Sequence, residues 1–289
     1  MTYGLLNLNK PAGVTSRDVV DQVQRLVRPQ KAGHAGTLDP LATGVLVVCV
    51  GAATRLIEYV QRLPKSYSGT FLLGRQSPTE DVEGEVAELA DPPLPTLDQL
   101  LAAARTLTGR IQQRPPAYSA LRVAGRRAYD LARRGETVDL QPRSVEIHRL
   151  EIASYAYPEL KLRVQCGSGT YIRSLGRDLA AALGTAAVMS ALERTAIGSF
   201  RLQDAIDPAA LTRENWPLYL LPPLRAVEFL PQVCVAGSEI QSIRAGQAIA
   251  REALPPGASQ WAALDAAGRL VAILVPRGLG RLGPICNLP

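Results

Sequence analysis

Residues Gly33 to Gly44, GHAGTLDPLATG, concentrate the residue types that do chemistry. The segment holds three glycines, one of the chain's two histidines (His34) and an Asp-Pro pair at Asp39. It lies between a helix-period run and an apolar run, so a rigid scaffold can present a carboxylate at its edge. A carboxylate held that way can attack as a nucleophile or move a proton. Asp39 can equally open an Asp-Pro turn or cap a helix. Spacing alone favours that plainer role.

A second glycine-rich turn, Gly167-Ser168-Gly169-Thr170, precedes the helix-period run YIRSLGRDLAAAL. Such a turn can cradle a phosphate at a helix start. It lacks the lysine of a Walker motif and a full GxGxxG, so the signal is weak. The four cysteines are far apart and show no metal-ligand spacing, and two histidines cannot build a zinc site by themselves. No metal is expected, and a reducing, cytoplasmic compartment fits. The opening MTYGLLNLNK has no basic n-region, and the longest apolar stretch, about Leu41 to Ala53, falls short of a membrane span. A soluble chain with no membrane role is the expectation.

Charge is distributed unevenly. The net charge is +6. Residues 1–75 carry nine basic and four acidic side chains, and residues 76–104 carry seven acidic and none basic. Residues 105–150 carry ten arginines against four acidic groups. The guanidinium fork matches phosphate and stacks on bases. A solvated face is the plain reading of this block; a polyanionic partner, most simply nucleic acid, is the sharper one.

The elements that must position these groups follow from periodicity. The length of 289 residues suggests about two domains. Tyr3 to Asn9 reads as a strand closed by the turn Lys10-Pro11-Ala12-Gly13. Ser16 reads as the N-cap of a helix with Val19, Val20, Val23, Leu26 and Val27 at helical spacing, stopped by Pro29. Beyond the loop, Val45 to Val50 reads as a buried strand, 53–63 as a helix and 65–73 as a strand. Residues 76–95, acidic and proline-ended, read as a surface excursion. A helix capped by Thr96, a short helix over 126–134, strands at 144–155 and 159–166, the helix after Thr170 and a strand at 189–200 follow. Prolines between 217 and 231 mark a linker. The result is an α+β fold with a mixed, mainly antiparallel sheet over residues 1–225, then a small β-rich module over 226–289.

The string GHAGTLDPLATGVL resembles the catalytic-loop motif of the bacterial tRNA pseudouridine-55 synthases, the TruB family. Four further segments resemble that family's motifs in the same order. They are Asn9-Lys10-Pro11 with Gly13 and Thr15-Ser16; Lys65-Ser66-Tyr67; Gly169 to Leu175 (GTYIRSL); and Leu192 to Phe200 (LERTAIGSF). Asn9 departs from the pattern, which often has Asp there. The resemblance covers residues 3 to about 205. It implies a pseudouridine synthase catalytic fold acting on uridine-55 in the T-arm loop of tRNA, without cofactor or metal. It also implies base flipping, cleavage of C1′–N1 and rejoining through C5. Asp39 takes the place of the essential carboxylate, and Arg173 that of the arginine paired with it. Tyr171 corresponds to the tyrosine beneath the target base, which can also relay a proton. Tyr67 corresponds to a second stacking aromatic, Leu192 to an apolar pocket wall, and His34 to a histidine that fills the space of the flipped base. Lys10 and Lys65 become phosphate or structural contacts.

Residues 110–145, approximately, align with a basic insertion that folds over the RNA. Within it Arg126, Arg127, Arg133 and Arg134 are expected on neighbouring faces of a two-turn helix, in contact with phosphates. The tail resembles a PUA-like RNA-binding module. A monomer acting on the T-arm stem-loop is expected. A non-catalytic RNA-binding module and a guide-RNA-dependent relative are the competing readings.

Overall fold

The computed structural model describes residues 2–119, 121–123, 125–136, 139–251, 257–278 and 280–289. Strand β1 (Gly4–Lys10) leads into helix α1 (Ser16–Val27), the short strand β2 (Ala32–His34) and β3 (Thr43–Val50). A 3-10 turn at Gly51–Leu56 runs into α2 (Ile57–Arg62), then β4 (Lys65–Leu73). The pair β5 (Arg75–Gln76) and β6 (Ala87–Glu88) precedes α3 (Leu97–Thr106) and β7 (Gly109–Gln113). A hairpin of β8 (Arg122–Val123) and β9 (Arg126–Arg127) meets α4 (Ala128–Arg133). Next come the long β10 (Arg143–Ala156), β11 (Glu159–Cys166), α5 (Ile172–Ala181), β12 (Ala187–Ile197) and β13 (Phe200–Arg201). The tail holds β14 (Gln232–Cys234), α6 (Gly237–Arg244), β15 (Ile249–Ala250), β16 (Trp261–Leu264), β17 (Leu270–Pro276) and β18 (Arg281–Asn287).

One sheet has the order β1-β3-β12-β4-β11-β10-β7, with β2 on β3 and β13 on β12. Only the β12–β3 pairing in it is parallel. The expected mixed, mainly antiparallel α+β architecture is therefore what the chain adopts. A second, five-stranded sheet of order β14-β16-β17-β18-β15 forms the β-rich tail.

The uninterrupted apolar run of β3 is explained by burial on both faces. Leu46, Val48 and Val50 pack with Val19, Val20, Val23 and Val27 of α1. Val45, Val47 and Cys49 point the other way, into a cluster that includes Ala262, Leu264, Leu270 and Ile273 of the tail. The two sheets thus share one apolar cluster. A third cluster seats Leu175 and Leu179 of α5 on Phe71, Leu162 and Leu192. Gly176 permits that close approach, since a Cβ there would lie 2.1 Å from the Phe71 ring.

Three local expectations change. Thr15, not Ser16, is the N-cap of α1: it forms a capping box with Asp18, whose carboxylate reaches back to the Thr15 amide. Ser16 is buried in the first turn and free for other work. The helix expected over 126–134 begins only at Ala128, because Gly125, at φ +83°, closes the β8–β9 hairpin ahead of it. Arg126 and Arg127 are strand residues, so the two-turn helical spacing does not hold. The acidic stretch is not only a surface excursion. The Val82 amide donates to the Met189 carbonyl and the Met189 amide donates to the Glu80 carbonyl, burying Asp81 between them.

Candidate active site

The glycine-rich loop is fixed from four directions. Ser16 Oγ donates to the Leu38 carbonyl at 3.1 Å and accepts from the Leu38 amide at 2.8 Å. The Gly13 amide donates to the Pro40 carbonyl at 2.9 Å. Lys10 Nζ donates to the carbonyls of Pro11, Val14 and Pro40 at 2.8, 2.7 and 3.3 Å. Arg194, on β12, donates to the carbonyls of Val45, Thr37 and Gly36 at 2.7, 3.3 and 3.1 Å. Gly44, at φ +101°, lets β3 lie against Arg194: a Cβ there would sit 2.3 Å from the Arg194 carbonyl oxygen. Leu38 and Ala42 plug the loop into the core beneath. Asp39, between these anchors, has little freedom to move.

Arg173 meets Asp39. Its Nε lies 3.0 Å from Asp39 Oδ2, and its Nη1 lies 3.1 Å from Asp81 Oδ2. Nη1 also donates to the Thr79 carbonyl at 2.6 Å and Nη2 to the Tyr118 carbonyl at 3.0 Å. The Arg173 side chain is 6% exposed, Asp81 3% and Asp39 35%. A cation in the first turn of a helix opposes the helix dipole. Burying it costs several kcal/mol more unless it is paired, on the order of the penalty for any isolated buried ion. Two carboxylates offset both costs. Asp81 Oδ1 accepts from Thr79 Oγ1 at 2.6 Å and from the Glu83 amide at 3.1 Å. Asp39 is the only member of the trio Asp39–Arg173–Asp81 with substantial access to solvent, and a reacting carboxylate needs that access.

Asp81 has no sequence signal beyond its place in the acidic stretch. Neither has the neighbouring network, in which Glu80 takes Ser174 Oγ at 2.7 Å and pairs with Arg177. Burial pushes the Glu80 carboxyl above its usual range, against the pull of Arg177. Arg194 is equally silent in the sequence, although it lies inside LERTAIGSF. There it reads as one of several polar residues of the strand, between Glu193 and Thr195.

Tyr67 packs at this place, and Tyr171 lies two residues before Arg173. Tyr67 on β4 is the register partner of Arg194 and packs on the cluster containing Leu38, Ala42 and Leu192. Burial pushes its phenol up, while the Arg194 charge pulls it back. Tyr171 caps α5 without a side-chain bond of its own. Instead its amide donates to Gln113 Oε1 at 2.8 Å and its carbonyl accepts from Gln113 Nε2 at 3.0 Å. Gln113 thus takes the amide of the α5 cap, one of the donors that a phosphate at the turn 167–170 would use.

His34 ends β2, half-buried, and its Nδ1 has no partner among the described residues. Burial pulls its imidazole below the usual range, which favours the neutral ring. No hydrogen bond or ion pair joins it to Asp39 among the described residues. Of the two roles expected for Lys10 and Lys65, phosphate contact and structural contact, the structure shows the second and not the first. Lys10 is fully buried and committed to three carbonyls. Lys65 Nζ is buried against the carbonyls of Leu63, at 2.8 Å, and Gln61. Both are structural ties. Burial lowers each ammonium to about 8, and for Lys10 the Asp39 charge offsets part of that fall.

A depressed ammonium pKa means that the unfolded chain holds the proton longer. These two groups therefore add stability as pH rises from about 8 to 10.5, and subtract it below. 13Cε-lysine NMR should show midpoints near 8 for Lys10 and Lys65. Midpoints at the ordinary value would show that water reaches both amines.

In the arginine block, Arg126 and Arg134 are exposed, and Arg126 lies 4.0 Å from Glu136. The side chains of Arg127 and Arg133 lie outside the described ones.

A family model described as "TruB family pseudouridylate synthase (N terminal domain)" matches residues 24–172, just over half the chain, and contains Asp39, Tyr67 and Tyr171. The tRNA pseudouridine synthase B of Xanthomonas campestris pv. campestris (strain B100) is 39% identical over 98% of this chain and 92% of its own length. The chain belongs to the TruB family. A second member, the tRNA pseudouridine synthase B of Moorella thermoacetica, is 42% identical over 89% of this chain and 86% of its own. The TruB fold is also that of a solved chain from a Cbf5-Nop10-Gar1 complex. That chain has a TM-score of 0.73 and 27% identity, with 96% of this chain and 80% of the other covered. No helix among the described residues is long and apolar enough to cross a membrane.

Proposed function

We propose that this chain isomerises uridine-55 in the T-arm loop of tRNA to pseudouridine. The observation that carries the proposal is the half-open Asp39 carboxylate, paired with buried Arg173 on a loop whose Leu38 and Ala42 cluster with Tyr67 and Leu192, in a chain of the TruB family. The substrate base must leave its stack, and unstacking costs a few kcal/mol that an aromatic pocket can offset. Tyr67 and Tyr171 supply that platform and Leu192 its apolar wall. His34, neutral and half-buried, fills the space that the base leaves.

The reaction conserves atoms and electrons. The C1′–N1 bond breaks, the uracil turns, and a C5–C1′ bond forms. The proton on C5 departs, and N1 ends with a proton. Asp39 can attack C1′, attack C6 of the base, or assist elimination to a glycal. Each route needs a carboxylate that cannot swing away, and the four loop anchors and Arg173 provide that. A tRNA transcript labelled with tritium at uridine C5 tests the reading. One tritium should be released to water per tRNA, and none would be released by a chain that only binds.

The insertion and the tail, residues 226–289, act as the RNA-gripping parts of this reading, and the chain works as a monomer. Replacing Arg126, Arg127, Arg133 and Arg134 together with glutamine should weaken tRNA binding. For every phosphate that is no longer neutralised, the slope of log affinity against log salt should fall by about 0.7–0.9. Turnover at saturating tRNA should change little. An unchanged slope returns the block to an ordinary solvated face.

A further inference from the structure

The arginine-rich insertion leaves the sheet at Gln113, the last residue of β7, and returns at Arg143, the first residue of β10. These two residues are direct cross-strand partners. Both hold Tyr171. Gln113, fully buried, grips its backbone with the two hydrogen bonds described above. Arg143 lies over its ring, with the guanidinium carbon 4.9 Å from the ring centroid. Arg143 Nη2 also donates to the carbonyl of Gly169, two residues before Tyr171. Beyond Gln113, the Arg114 carbonyl accepts from Arg177 at 2.8 Å and the Tyr118 carbonyl accepts from Arg173. The root of the insertion is thus tied to the cap and the first two turns of α5, the segment that carries Tyr171 and Arg173.

From this geometry we infer that Gln113 and Arg143 are positioning residues, through which the seating of the insertion sets Tyr171 and Arg173. The inference rests on the functional reading above for its reaction, but the linkage itself is a property of the fold. The insertion meets the sheet at the end of the β7–β10 ladder, at the pair that also contacts Tyr171. A cation over an aromatic face restricts the tilt of the ring. The paired amide bonds fix where that ring begins. Arg143 Nε has no partner among the described residues. The ring and the Gly169 carbonyl are thus its contacts, and both belong to the segment that leads into α5. RNA pressing on the arginine-rich arm would therefore act on the base platform and on the guanidinium that holds Asp39.

The test compares full-length Arg143→Ala and Arg143→Lys with the unmodified chain. Three quantities are measured: single-turnover pseudouridine formation at saturating T-arm RNA, RNA affinity, and amide hydrogen exchange over residues 168–174. Arg143→Ala should slow the single turnover by about tenfold or more, since small displacements in a reacting constellation are costly. RNA affinity should move by less than about threefold. Exchange over 168–174 in the free protein should quicken by about fivefold. Arg143→Lys keeps a cation over the ring and should restore most of the rate. A weakened affinity with a flatter salt slope and an unchanged saturating rate would make Arg143 a phosphate contact and overturn the inference. Unchanged exchange over 168–174 would also overturn it. If the unmodified chain made no pseudouridine, the functional reading would fail, while the exchange measurement would still decide the linkage.

Discussion

Asp39→Asn should keep its fold and its RNA and lose its reaction. The substitution preserves size, and the new carbonyl oxygen can still accept from Arg173 Nε. Arg173 also keeps its pairing with Asp81. Asp39 is about a third exposed, so the stability change should stay within about 1 kcal/mol, the range of solvent-screened ion pairs. The carboxamide is neither a nucleophile nor a base. Loss of a group used in the chemical step itself commonly lowers the rate by about 10⁴-fold or more. Tritium release from labelled tRNA measures the rate, and filter binding measures affinity. A variant retaining a tenth of the unmodified rate would remove Asp39 from the reaction.

Arg173→Ala should fail differently, because it strikes stability and chemistry together. It leaves the Asp81 carboxylate buried with only Thr79 Oγ1 and the Glu83 amide as partners among the described residues. Breaking a buried pair by removing one partner typically costs about 3–5 kcal/mol. At about 2–4 °C per kcal/mol for a chain of this size, the melting temperature should fall by roughly 10 °C. Activity should fall by about 10³-fold or more, since the loop anchors then hold the Asp39 backbone while its carboxylate has lost its ionic partner. Adding Asp81→Ala removes the stranded charge. The double variant should therefore melt higher than Arg173→Ala alone, while its activity does not return. Strict additivity of the two melting shifts would show that the carboxylate and the guanidinium do not act as one buried unit.

The Asp39 loop and the strands that hold it are legible because each carries a local signal. GHAGTLDPLATG is an unbroken motif, β3 is an unbroken apolar run, and α1 repeats valine at helical spacing. What is not legible depends on tertiary partners. Asp81 sits in a proline-ended acidic stretch that shows no periodicity, and only the buried Arg173 makes it part of the site. The absence of any basic residue among 76–104 is the available clue, because a carboxylate drawn into the core must find its cation elsewhere in the chain. Lys10 and Lys65 mislead in the opposite direction. A lysine near a suspected RNA site suggests phosphate, yet both amines are used up on backbone carbonyls. Serine favours the cap position, which makes Ser16 look like the start of α1. Thr15 takes the cap, and Ser16 clamps Leu38 next to the Asp39 carboxylate. Gln113 and Arg143 are far apart in sequence, and only the pairing of β7 with β10 brings them to Tyr171.

The most direct measurement is a nucleotide-resolution map of pseudouridine in an unmodified tRNA transcript, made before and after incubation with the purified chain in plain buffer. One new pseudouridine is expected, at position 55 of the T-loop, and none after incubation with Asp39→Asn. An unchanged map, or the same new pseudouridine made by Asp39→Asn, would contradict the assignment of this reaction to Asp39.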